Sequence, residues 1–257
     1  MTNLVPVYDA GDEDARMVDD RNAVEWLRTQ ELLRRWLPPA PGLILDIGGA
    51  TGRYAGWLET RGYAVRLLDL VPKHVALARS RGIAALVGDA RHLPFATESA
   101  DAVVMLGPLY HLPDPDDRAA ALAEAARCVK PGGVVVAAAM SRWAKACVRS
   151  SRGELGDVVI QEHLLRVFAH GQDRQGDAFD RASYNHDPRE LEDELRAAGL
   201  TDVRALGVEG PLGAEARADV RLNDVALRAA RLAETSAPHF SIHLLVRGAK
   251  RAAPARR

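Results

Sequence analysis

The residues best placed to do chemistry stand at the ends of short apolar runs. Leu43-Ile44-Leu45 closes on Asp46; Gly48, Gly49, Ala50 and Gly52 follow, and then helically spaced apolar positions at Tyr54, Ala55, Trp57 and Leu58. A strand, a glycine turn and a helix in that order place helix N-terminal N–H groups at the carboxyl end of a parallel strand, where open α/β sheets bind ligands. Glycine lets the backbone pass close to a ligand and adopt positive φ. The G-x-G-x-x-G frame of dinucleotide sites fails at Ala50, and the frame that fits is D-x-G-x-x-x-G through Asp46, Gly48 and Gly52. A second run, Tyr63–Leu68, ends on Asp69. The two oxygens of a carboxylate there match the two adjacent hydroxyls of a ribose, which supports an adenosine-type ligand without choosing among cofactors. A third run ends in Gly88-Asp89-Ala90, and a fourth, Ala102–Leu106, leads into Gly107-Pro108-Leu109-Tyr110-His111. Further groups able to take a proton are Tyr184, His186 and Glu209. Histidine, with an ordinary pKa of about 6.5, suits that task near neutrality.

The elements that must position these groups follow from periodicity. Val24, Leu27, Leu32, Leu33 and Trp36 predict an amphipathic helix before Pro38-Pro39, with Arg28 near its middle. Strands are expected at the four runs above and at Val134–Ala139, which follows the turn Lys130-Pro131-Gly132-Gly133. Asp116–Val129 reads as a helix. Residues 141–187 exceed a minimal sheet: Arg142–Arg152 and Asp157–Ala169 read as helices, with glycine breaks between and after them. Asp187-Pro188-Arg189-Glu190 is a helix start, with Asp as cap, Pro first and Glu three after the cap. A sixth strand is expected around Val203–Val208, a helical stretch over Arg217–Ser236, and a last strand at Phe240–Val246, antiparallel because no long crossover precedes it. The basic tail 248–257 reads as disordered, and acidic residues 1–20 as an exposed entry. The fold class expected is α/β: a seven-stranded doubly wound sheet, mostly parallel with an antiparallel last strand, and a helical cap after strand five. The whole chain, 1–257, reads as one domain, with 1–40 as an N-terminal cover.

Composition narrows the partners. The formal net charge is −1, so nothing in the overall balance favours a nucleic acid or an anionic membrane. No apolar run is long enough to span a bilayer and no leader pattern opens the chain, so a cytoplasmic location is expected. Two scattered cysteines, Cys128 and Cys147, argue against a disulfide framework or a metal centre.

With these motifs in order, the chain resembles the class I methyltransferases that use S-adenosylmethionine. Their first motif is acid-x-Gly-x-Gly-x-Gly, with Ala50 here in place of the middle glycine; their third strand is followed by G-D-A-x-x-L-P-F, matched at Gly88–Phe95; a Pro-Gly-Gly turn precedes their fifth strand. The resemblance implies S-adenosylmethionine as cofactor, held by Asp46, Gly48, Gly49, Ala50, Gly52, Asp69, Leu70, Asp89, Ala90 and Leu106. It places the acid Asp89 on the adenine amino group, the Ala90 N–H on a ring nitrogen, and Tyr8 or Arg28 near the methionine carboxylate. It further implies a small organic acceptor, methylated at O, N or C, beside His111, Tyr110 and His186 as proton-transfer groups and Tyr184 and Glu209 as acceptor-binding groups. Segment 141–187 would be the cap over that pocket. The N/D-P-P-Y/F signature of nucleic-acid amine methylation is missing at Gly107–Tyr110, and the cysteines do not provide the thiolates of arsenic methylation. The L-G-P-L-Y-H-L, Y-N-H-D-P and V-E-G-P segments look like bacterial small-molecule enzymes grouped with quinone-type C-methyltransferases. The expected partners are a small molecule, no nucleic acid and no membrane, with a homodimer left open. A nicotinamide-dependent oxidoreductase and a non-catalytic adenosyl-binding protein are the rival readings. Ala50, the paired tips Asp69 and Asp89, and the Pro-Gly-Gly turn speak against the first.

Overall fold

A computed structural model describes residues 19–173 and 183–252. Five parallel strands, β1 (Leu43–Ile47), β2 (Ala64–Asp69), β3 (Ala85–Val87), β4 (Ala100–Met105) and β5 (Val129–Ser141), lie in the order β3-β2-β1-β4-β5. The order reverses at β1, so the crevice outside the carboxyl ends of β1 and β4 is the topological switch point where such sheets take ligands. Beyond β5 come β9 (His243–Ala249), antiparallel to it, and β8 (Thr201–Gly207), antiparallel to β9. These seven strands are the expected sheet.

Side chains alternate across it. Leu45 and Ile47 face a cluster with Val103, Met105 and Val135 that is covered by α4 (Pro115–Cys128) and α7 (Pro188–Ala197) through Leu122, Leu191 and Leu195. Ile44 faces the other way, with Val65, Leu67, Val104 and Val136, under α1 (Ala23–Trp36), α2 (Arg53–Glu59) and α3 (Pro72–Ser80). Both faces are dry, which is why the strands read as near-continuous apolar runs. Helix starts follow local chemistry. Asp114 caps α4 by accepting the Asp116 N–H, and Asp187 with Glu190 forms the expected capping box on α7.

The region after β5 departs from expectation. It contains α5 (Ala144–Ser151) and α6 (Val158–His170), but then a short hairpin, β6 (Gln172–Asp173) and β7 (Ser183–His186). β7 joins the sheet in parallel at the very end of β5, through Met140↔Asn185 and Ser141↔His186, so this hairpin adds two strands to the expected seven among the described residues. The helical stretch expected over Arg217–Ser236 takes in the end of α8 (Gly213–Ala218), a 3₁₀ turn at Val220–Leu222, and α9 (Asn223–Ala233). The last strand lies three residues later than the apolar alternation indicates. Gly248 and Ala249, read as tail, pair with Val135 and Val134. Ladder hydrogen bonds to β5 carry β9 on past Val246, as far as Ala249, which packs against the core. Lys250 of that tail still exchanges backbone bonds with Gly132 and Gly133, while residues 253–257, residues 1–18 of the entry and part of the cap lie outside the described residues.

Candidate functional site

The loop after β1 is built by bonds to its neighbour strand. The N–H groups of Gly48 and Gly49 donate to the Leu68 carbonyl at 2.6 and 3.4 Å, and the Ala50 N–H donates to Asp69 Oδ2 at 2.9 Å. The other oxygen of Asp69 accepts the Val71 N–H at 2.9 Å and lies 3.2 Å from His74 Nδ1. Side chains are excluded here. A Cβ on Gly48 would fall 2.7 Å from the Pro108 ring, and one on Gly49 would fall 2.5 Å from Asp46 Oδ2. Ala50 itself holds a left-handed backbone, φ 47°. Gly52 caps α2 at φ 86° and is packed against Ile83, so it shapes the turn without lining the cleft.

Asp46 is buried, and its Oδ2 has no hydrogen-bond partner among the described residues. Burial, reinforced by the charge of Asp69, pushes its carboxyl up to about 7. A buried acceptor without a donor is costly, and a ligand bringing a cation or a donor to this end of the cleft relieves that cost.

One cleft gathers most of the expected residues: Asp46, Gly48, Gly49, Ala50, Asp69, Leu70, Asp89, Ala90 and Leu106, with Tyr110 and His111 at one side. Its empty space, open mouth included, is about 1210 Å³. Asp89 is half-buried and already engaged. Arg91 donates to both its oxygens through Nε and Nη2, and bonds with the Arg91 side chain hold the Asp89 carboxyl below the usual range. Tyr110 and His111 lie in a 3₁₀ turn, Pro108–His111, with ring centroids 4.5 Å apart.

Other lining residues escaped the sequence reading. Asn22, Glu25 and Trp26 come from α1 and the turn before it, and Arg53 and Tyr54 from the first turn of α2. The Arg53 guanidinium stacks 3.9 Å from the Trp26 ring centroid. The available signal was that polar Glu25 and aromatic Trp26 adjoin the apolar stripe of a helix already expected to cover the cleft.

Four expected site residues lie elsewhere. Arg28 is fully buried and ties α1 to the C-terminal half: its Nε donates to the Val208 carbonyl at 3.3 Å and its Nη2 to Glu234 at 2.6 Å, and it pairs with Glu31. Those bonds use its fork, and it does not line the cleft. Glu209 is buried too. Its Oε2 accepts Ser241 Oγ–H and the His243 N–H at 2.9 Å each, and its Oε1 lies 2.5 Å from His243 Nδ1 and 3.4 Å from Arg217. Burial alone would raise the Glu209 carboxyl; the charge and bonds of His243, with Arg217, outweigh it and hold the group down to about 2. Burial disfavours the His243 imidazolium, yet Glu25 and Glu209 raise its pKa. Ligand atoms of Glu25, Glu209 and His243 lie within 4.8 Å of one another, but the Arg217 guanidinium sits 2.6 Å from Glu25 and supplies the positive charge there. Tyr184 and His186, on β7, are buried behind the Tyr110–His111 turn rather than on the cleft wall. Tyr184 donates to Glu190, and His186 Nε2 lies 3.1 Å from Glu194.

Comparison with known proteins bears on the fold and the cofactor. Residues 45–137 match the family described as Methyltransferase domain. The backbone superposes on a methyltransferase of Thermotoga maritima, described as S-adenosylmethionine-dependent and a possible histamine N-methyltransferase. The TM-score is 0.64 at 19% identity, over 97% of this chain and 100% of that one. Residues 45–137 thus match a methyltransferase domain, and the backbone has the fold of the class I S-adenosylmethionine-dependent methyltransferases. A stretch of 128 residues is 33% identical to "Probable tRNA methyltransferase 9B" of Bos taurus, covering 49% of this chain and 27% of that protein. Another of 113 residues is 34% identical to an uncharacterized methyltransferase of Mycobacterium tuberculosis, covering 43% of this chain and 41% of the relative. The chain therefore spans well under half the length of these curated relatives. The cleft fits the cofactor of this fold on one of its own features, the orphaned buried oxygen of Asp46, beside a Gly48–Gly49 loop packed too closely on Pro108 and Asp46 to admit a Cβ. Among the described residues, no helix is long and apolar enough to cross a membrane.

Proposed function

We propose that the chain transfers a methyl group from S-adenosylmethionine to an O, N or C atom of a small organic acceptor. The observation that carries this reading is the convergence of Asp46, Asp69, Asp89 and the Gly48–Ala50 loop on one cleft that also holds Tyr110 and His111. In it, Asp69 takes the ribose hydroxyls with the lone pairs left over from its two backbone bonds, and Asp89 and the Ala90 N–H take the adenine edge. Asp46 faces the ammonium end, and Leu70 and Leu106 cover the ring and the sulfur. The cofactor supplies a methyl group on a positively charged sulfur, an electrophile that needs no further activation. What remains for the protein is to align the acceptor and exclude water, which can supply roughly 7–11 kcal/mol of the barrier. Where the acceptor must lose a proton, His111 takes it on its ring nitrogen and Tyr110 orients the acceptor.

Charge favours the small-molecule class. The cleft wall carries Glu25, Asp46, Asp69 and Asp89 against Arg53 as its only arginine or lysine among the described residues. Binding to a polynucleotide rests on neutralising several phosphates with Lys and Arg, which this wall does not offer. The tRNA-methyltransferase names of several relatives favour the second reading, a nucleoside within tRNA. Incubation with methyl-labelled cofactor, separately with a cell-derived small-molecule fraction and with bulk tRNA, decides between them. Label in the small-molecule fraction alone is expected, and label in tRNA alone overturns the acceptor assignment.

A further inference from the structure

We propose that Arg118 is a positioning residue that fixes the Tyr110–His111 turn against the cleft. The proposal rests on the reading that this turn forms the acceptor side. The turn has little secondary structure to hold it. Its closing backbone bond runs from the Leu112 N–H to the Leu109 carbonyl at 3.2 Å, and buried Leu109 is its apolar anchor. Its exit is held instead by a side chain from α4. Arg118, only 3% exposed, donates from Nη1 to the carbonyls of Leu112 at 3.0 Å and Pro113 at 3.1 Å. Leu112 lines the cleft beside His111, so this bond sets where the cleft wall stands.

The guanidinium is itself fixed on its remaining sides. Nε and Nη2 reach Glu194 Oε1 of α7 at 2.9 and 2.8 Å, and Cζ stacks 3.6 Å from the Tyr184 ring centroid on β7. The second oxygen of Glu194 lies 3.1 Å from His186 Nε2, and Glu190, which accepts from Tyr184, is bound by Arg142 at 3.0 Å. A planar fork can serve two carbonyls and a carboxylate while stacking on a ring, which a lysine cannot do. Through one side chain the β7 hairpin and α7 therefore set the register of the turn that carries His111. Tyr184 and His186 contribute to the site from behind it.

The test compares wild type with Arg118→Gln and Arg118→Lys by amide hydrogen exchange and by NMR of the histidine ring protons. Calorimetry with S-adenosylhomocysteine first establishes that wild type binds; a silent titration there defeats the functional reading and leaves the brace to be judged by exchange alone. In Arg118→Gln, exchange at the Leu112 amide is expected to quicken about tenfold or more, while β4 and β5 amides keep their protection. The His111 ring resonances should shift, and Arg118→Lys should restore part of both effects. Loss of protection spread evenly over β4 and β5, or unchanged Leu112 exchange and His111 resonances, would overturn the proposal. If the Gln variant does not fold, the Lys variant is read by the same two criteria, because it keeps the carbonyl donors and loses the fork.

Discussion

Asp69 joins two segments of backbone at the tip of β2: one oxygen takes the Ala50 N–H at 2.9 Å and the other takes the Val71 N–H at 2.9 Å. The acid that the ribose would use is therefore also the clamp on the glycine loop. Asp69→Ala removes both functions. The expected outcome is S-adenosylhomocysteine affinity about 10- to 100-fold weaker, from charge-assisted bonds of roughly 1.5–3 kcal/mol, together with a lower melting temperature. Calorimetry and thermal melting check the two effects separately, and unchanged affinity would remove Asp69 from the site.

Asp46 gives a pH dependence of opposite sign to most carboxylates. Its folded pKa is raised to about 7, so the fold favours the protonated form. That contribution is complete below the ordinary carboxylate value and is lost as pH rises through about 7. Asp46→Asn is free of the loss. The variant should gain stability relative to wild type between about pH 4 and pH 8, as read by denaturant midpoints. A gain that shrinks as pH rises would contradict the assignment of Asp46 as a buried, uncompensated acid.

Glu209 behaves in the usual direction. With its folded pKa held to about 2, its contribution is present above the ordinary value and is lost as pH falls toward about 2. Glu209→Gln leaves His243 and Arg217 with the less buried Glu25 alone as counter-charge. A loss on the order of 3 kcal/mol is expected at neutral pH, shrinking on acidification. Thermal melts across that range test it, and a pH-independent cost would assign the effect to shape instead of charge.

His111→Ala should lower methyl transfer by about 10²–10⁴ at neutral pH, with S-adenosylhomocysteine affinity little changed and partial rescue as pH rises. A mild loss without a pH signature would make His111 a packing residue.

How much of this was legible in the sequence depends on distance along the chain. The stretch from Leu43 to Ala139 carried its own evidence, because each acid stands directly after the apolar run that becomes its strand, and the loop that uses it follows within a few residues. The same local logic recovered the Asp187–Glu190 capping box. It failed where the partner is remote. Ser183–His186 is short and polar, and becomes a strand only because the end of β5 offers it a ladder. Tyr184 and His186 have the residue types of an active site, but Arg118 and Glu194, from α4 and α7, turn them away from the cleft. Arg28 and Glu209 were drawn into buried ion pairs by Glu234 and His243, both far along the chain. Trp26 and Arg53 were missed for the converse reason, since their stacking depends on the approach of α1 to α2.

The central claim is that the switch-point cleft of β1, β2 and β4 binds an adenosyl sulfonium cofactor and no nicotinamide dinucleotide. Titrating the purified chain by calorimetry with S-adenosylmethionine, S-adenosylhomocysteine and NADH tests it in one experiment. The expected result is one-to-one binding of the first two, lost or strongly weakened in Asp69→Ala, with no heat from NADH. Saturable NADH binding with no heat from either adenosyl ligand would contradict the account.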